Sequence, residues 1–70
     1  MEPFDDEVKV TSQEQRILEL MAAGKTCAQM SEDMGLTLQT IKWYRMRLRA
    51  KFHAATSSEL IHKAGAHGLL

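Results

Sequence analysis

The chain has 70 residues, 44% apolar and 26% charged, with nine basic and nine acidic side chains that leave no net charge. A chain of this length buries only roughly 60% of the surface its unfolded form exposes, so one small core is the limit. That leaves little room for a catalytic cleft with its supporting shells, and no apolar run approaches the roughly 18 residues that a membrane span needs.

The start, Met1-Glu2-Pro3-Phe4-Asp5-Asp6-Glu7, is acidic, where a secretion signal opens basic and then turns apolar. The single cysteine, Cys27, cannot form an internal disulfide and has no partner at metal-ligand spacing. Both features lead us to expect a cytoplasmic protein. Residues 1–9 carry little periodicity and one proline, and read as a flexible acidic N-terminal segment, a frayed end or the remains of a linker. Residues 10–70 read as one domain.

Four helical signals follow, each with its own start marker. Thr11-Ser12-Gln13-Glu14 has the form of a capping box, in which the Thr11 hydroxyl accepts from the Glu14 amide while the Glu14 carboxylate reaches back. Ile17, Leu18 and Met21 then recur at helical spacing and Gly24 supplies a stop, which predicts a first helix over about Ser12 to Ala23. Thr26 to Gln29 repeats the box, Met30 and Met34 stand one turn apart, and Gly35 ends this short second helix. After the tight turn Gly35-Leu36-Thr37, Thr37 caps a third helix. Ile41, Tyr44, Leu48 and Phe52 share one face of it, and nothing interrupts it before His53. Thr56-Ser57-Ser58-Glu59 is a further box, followed by Leu60, Ile61 and Ala64, with Gly68 near the stop. The expected fold class is all-α: a compact four-helix, tetrahelical, helix-turn-helix domain.

Charge is distributed unevenly. No acid occurs from Gly35 to His53, whereas Lys42, Arg45, Arg47, Arg49 and Lys51 fall within ten residues. A neutral domain can still present a basic face in this way. At roughly 100° per residue, the side of the third helix opposite Ile41, Leu48 and Phe52 carries Gln39, Trp43, Met46 and Ala50. Lys42 and Arg49 stand on one shoulder of that stripe, and Arg47 and Lys51 on the other. Arg45 falls near the apolar face and is expected to reach water from its edge.

An exposed amide, indole and thioether between cationic flanks is unusual for a merely solvated face. The major groove of double-stranded DNA gives it a physical use. One α-helix fits there, amide and apolar groups can meet base edges, and flanking cations can meet phosphates. A short helix, a glycine turn and a longer basic helix is the arrangement that places a recognition helix in that groove.

At this level of detail the residues resemble a known family. The stretches Val10-Thr11-Ser12-Gln13-Glu14, Ile17-Leu18-Glu19-Leu20, Gly24-Lys25-Thr26 and Met34-Gly35-Leu36-Thr37 are similar to the LuxR-type helix-turn-helix domain. So are Thr40-Ile41-Lys42, Leu48, Lys51-Phe52, Glu59-Leu60 and Gly68-Leu69-Leu70, and the likeness runs without gaps from about Lys9 to Leu70. It implies a DNA-binding domain of a bacterial transcription regulator, with the motif at about residues 26–45 and a recognition helix at about 38–53. It further implies Thr26 against the phosphate backbone, Thr40 and Lys42 at the DNA, and Trp43 and Met46 facing bases. The resemblance also implies a homodimer on DNA through helix four, here Leu60, Ile61 and Ala64.

The complete set of expected DNA-binding residues is Thr26, Gln39, Thr40, Lys42, Trp43, Met46, Arg47 and Lys51. The chain departs from the family at Cys27-Ala28-Gln29, where Asn-Lys-Glu is usual, and at Tyr44, where histidine is usual. No cofactor, metal or catalytic residue is expected: His62 and His67 do not share a helical face, and no nucleophile-base pair stands out. A second reading of the same pattern is a helical protein-interaction module, similar to sigma-factor region four, that recruits a partner such as RNA polymerase without reading bases itself.

Overall fold

The computed structural model describes residues 9–70, so the expected flexible acidic segment lies outside the described residues except for Lys9. Four helices follow in order: α1 (Ser12–Ala22), α2 (Cys27–Met34), α3 (Leu38–Lys51) and α4 (Ser57–Ala66), with no strand among the described residues. This is the all-α, four-helix architecture that the periodicity predicts. None of these helices is long and apolar enough to cross a membrane.

Every helix begins at a threonine. Thr11 Oγ1 accepts from the Glu14 amide at 3.1 Å while Thr11 N donates to Glu14 Oε1 at 3.0 Å, and Thr26 and Gln29 repeat the exchange at 3.1 and 2.9 Å. Each exchange satisfies two amides that the first helical turn leaves unpaired. Thr37 accepts from the Thr40 amide at 3.1 Å, and its hydroxyl lies 2.9 Å from that of Thr40. The fourth box differs from expectation. Thr56 accepts from the Glu59 amide at 3.1 Å, but the Glu59 carboxylate takes the amide of Ala55 at 2.9 Å in place of that of Thr56. Lys63 also holds Glu59 at 3.1 Å, one turn further on, which fixes the carboxylate outside the box.

The helices also end alike. The amides of Lys25, Leu36, Ala54 and Leu69 donate to the carbonyls of Leu20, Ser31, Arg49 and Ala64, five residues back, at 2.8–3.1 Å. This closure requires one residue in the left-handed region. At the turn between α2 and α3 it is Gly35, at φ 67°; Ser31 donates its hydroxyl to the Leu36 carbonyl and tightens the same turn. After α3 it is His53, at φ 53°, the one described non-glycine residue with positive φ. That is why α3 stops at Lys51 and does not run on to His53.

The core is built from Ile17, Leu18, Leu20, Met30, Ile41, Leu48, Phe52, Leu60 and Ala64, all buried. α3 packs against each of the other three helices, and α1 also packs on α4. Ile41, Leu48 and Phe52 therefore anchor α3 from its inner side along most of its length, and the Gln15 amide donates to the Leu69 carbonyl at 2.6 Å to tie the chain end to α1. Leu60 and Ala64 were expected at a subunit interface, and the structure corrects this. Both have no exposed area, because α4 turns them inward against α1 and α3.

Candidate nucleic-acid interface

Since α3 is anchored by one face, its opposite face stands out from the body. Trp43 is 46% and Met46 57% exposed, and Gln39, Lys42, Arg47 and Ala50 are exposed beside them. Tyr44, which shares the inner side with Ile41, is half-buried against the core. Gln39, Lys42, Trp43, Arg45, Met46 and Arg49 line one open groove of about 570 Å³. Thr37, Gln39, Thr40 and Trp43 line a shallower hollow at the start of the same helix. The arrangement presents an amide, an indole and a thioether along the middle of a helix, with cations along one edge.

The Trp43 ring is held in place by its neighbours. Its centroid lies 5.1 Å from that of Tyr44 in an edge-on pair, and the Arg47 guanidinium sits 5.0 Å over the indole. Such cation–π contacts contribute about 0.5–1 kcal/mol at exposed sites. Arg47 Nε is in turn 3.5 Å from Glu14 Oε2, so Arg47 joins α1 to the exposed stripe.

Glu14 is the buried polar centre of this side of the molecule, with 1% of its surface exposed. Its Oε1 accepts from Lys51 Nζ at 2.7 Å and from the Thr11 amide at 3.0 Å. Burial pushes the Glu14 carboxyl upward. The Lys51 hydrogen bond, the Thr11 amide and the charges of Lys51 and Arg47 outweigh that, and hold it below the usual carboxylate range. Lys51 also donates to the Lys9 carbonyl at 3.1 Å. The Lys51 ammonium, expected at the DNA, is thus held against the first turn of α1, apart from the outer stripe of α3.

Arg45 was expected only to reach water from the edge of the apolar face. It is half-buried and bridges three elements, donating to Cys27 Sγ at 2.8 Å at the start of α2 and to Ser57 Oγ at 2.6 Å at the start of α4. Its buried Nε has no hydrogen-bond partner among the described residues. The signal for this role was its angular position between the core face and the Lys42–Arg49 shoulder. Nothing local, however, names Cys27 and Ser57 as its partners.

Thr26 is exposed at the start of α2 and lines a hollow of about 260 Å³ together with Lys25, Cys27, Arg45, Ser57 and Ile61. Arg45 lines both this hollow and the α3 groove, so one side chain borders the two. The structure thus brings Gln39, Thr40, Lys42, Trp43, Met46 and Arg47 together on or beside the outer face of α3. Thr26 stands at the adjoining end of α2, and Lys51 stands apart. Of the three residues expected at a dimer interface, only Ile61 retains exposed surface. Among the described residues no group of three His, Cys, Asp or Glu side chains is placed to hold a metal ion.

Comparison with known proteins agrees with this geometry. The structure is similar to that of the Vibrio cholerae VqmA dimer solved without its target DNA and described with LuxR-type receptors. The TM-score is 0.86 at 31% identity, over 96% of this chain and 30% of that one. It is also similar to V. cholerae VqmA in a complex with ligand and DNA (TM-score 0.81, 33% identity, 87% of this chain and 27% of that one). VqmA bound to DPO gives a TM-score of 0.80 at 32% identity, over 86% of this chain and 30% of that one. The chain thus spans about 30% of the length of the structures it matches. No curated protein matches it. The family described as bacterial regulatory proteins, luxR family, matches residues 8–64. With that match over most of its length, the chain belongs to the luxR family of bacterial regulatory proteins.

Proposed function

We propose that this chain binds double-stranded DNA sequence-specifically as the DNA-binding domain of a transcription regulator, with α3 in the major groove. The observation that carries the reading is the outer stripe of α3, where Gln39, Trp43 and Met46 are exposed and Ile41, Leu48 and Phe52 hold the helix down from behind. Lys42 and Arg49 on the shoulder, and Thr26 with Lys25 at the start of α2, meet the phosphates that flank the groove. One of the similar VqmA structures is a complex with DNA, which supports the same docking here.

The protein acts as a homodimer on two related half-sites about one helical turn apart. With Leu60 and Ala64 in the core, the surface that α4 offers a second copy is Ile61, His62, Gly65 and Ala66, whose small members allow close approach. The VqmA structure solved without DNA is itself dimeric, which supports this assembly.

Duplex binding across a salt series tests the reading. Affinity is expected to fall steeply with salt, with a log–log slope of about −0.9 per phosphate neutralised. Lys42→Ala should weaken selected and random duplexes alike and reduce that slope by about one. Trp43→Ala should change which sequences are preferred. Absence of duplex binding at low salt, with RNA polymerase still bound, would instead establish the recruiting module.

A further inference from the structure

The middle of the exposed α3 stripe has an uneven chemistry. Gln39, at its N-terminal end, carries the one amide; Trp43, Met46 and Ala50 complete it, and no cation or carboxylate stands among them. Of the guanidiniums nearby, Arg47 lies over the indole and beside Glu14, Arg45 donates to Cys27 and Ser57, and Arg49 reaches back toward the Ala55 carbonyl at 3.4 Å. Lys42 lines the same groove from its shoulder, where the reading above gives it to the phosphates. The centre of the stripe thus holds none of the arginine or lysine side chains that commonly read guanine O6 and N7.

Resting on the DNA-binding reading above, we infer that Trp43 and Met46 select A·T base pairs by covering thymine 5-methyl groups, with Gln39 beside them on an adenine edge. The thymine methyl is the one apolar group on the major-groove edge of the four bases. An indole and a thioether placed over it remove apolar surface from water on both partners. Placed over a G·C pair, the indole ring face and the thioether strip water from O6, N7 and the cytosine amino group and offer them no matching donor or acceptor, which disfavours that pair at the same positions. A primary amide matches adenine N6 and N7 in a two-point contact, and Gln39 shares one groove with Trp43 and Met46. Selection thus has an attractive half, the methyl, and a repulsive half, the unpaired G·C edge.

Replacing thymine by 2′-deoxyuridine removes only the methyl and keeps the pairing, so it tests this directly. A duplex selected from a random pool is substituted one thymine at a time and its affinity for the protein measured. At least two positions in each half-site should lose about fourfold each, the factor that corresponds to one buried methyl group. Met46→Ala, a change at a 57% exposed side chain, should abolish the deoxyuridine effect at one of those positions and keep it at the other. Trp43→Ala should do the reverse. Tight binding of the selected duplex with no deoxyuridine effect at any position, or a selected half-site without thymine, overturns the inference and leaves DNA binding standing. No preference for any duplex over random DNA removes both readings together.

Discussion

Glu14 shows how much one side chain can do in a domain with a small core. Its carboxylate closes the first turn of α1, accepts the Lys51 ammonium at 2.7 Å, and positions Arg47, which itself covers Trp43. Glu14→Gln keeps an acceptor for the cap and removes the charge that faces two cations. We expect it to lower stability at neutral pH by about 1–2 kcal/mol, measured by urea unfolding. The pH dependence follows from the depressed carboxyl. The ionised folded form is favoured, so the contribution is fully present above the ordinary value of 4.5 and is lost as pH falls through the lower folded value. The gap between the two proteins should accordingly narrow below about pH 4.5, and a gap constant down to pH 2 would show that the charge has no stabilising role. The helical spacing around Thr11 made Glu14 legible as half of a capping box. Its burial was not legible, because a glutamate is almost never buried without a partner and Lys51 lies 37 residues away in sequence.

At the scale of the elements, the threonine starts were readable because capping chemistry is local: a hydroxyl and an amide three residues apart are all it needs. The helix ends were readable only where glycine marks them. The α3 end was missed because His53 adopts the left-handed conformation that glycine adopts after the other helices. Histidine tolerates that region better than most residues but still carries a steric cost there. His53→Gly should relieve it and stabilise the fold by about 0.5–1 kcal/mol after allowing for the added freedom of the unfolded chain. For a domain of this size that is a rise in Tm of about 3–6 °C, read by thermal circular dichroism; a fall in Tm would mean that the His53 side chain contributes more than its backbone costs. The outer stripe of α3 was legible for a related reason. Its periodicity is uninterrupted, so Ile41, Leu48 and Phe52 fix the rotation, and Trp43 and Met46 must then face outward.

Across the whole molecule, periodicity separates an apolar face from a polar one but does not say what covers the apolar face. Leu60 and Ala64 could have met a second copy of the chain; they meet α1 and α3. The distinction can be measured. Leu60→Ala should destabilise the protein by about 2–5 kcal/mol through the cavity it leaves, by the same amount at low and at high protein concentration. A loss that appears only at concentrations where two copies associate would put Leu60 at an interface after all. Arg45 belongs to this scale as well. By joining the starts of α2 and α4 to α3, it fixes the relative position of the two hollows that the proposed DNA path follows. No single stretch of sequence announces it, because its partners come from separate turns.

The indole on the exposed stripe is also the only tryptophan in the chain. Its fluorescence therefore comes from one known place, a half-exposed ring on the outer face of α3, with the only tyrosine edge-on beside it at 5.1 Å. Any macromolecule that covers this face must change the emission of the unmodified protein, whereas one that docks elsewhere leaves it nearly constant. The molecule carries its own optical probe at the position where occupancy matters most, and binding there can be followed without a label.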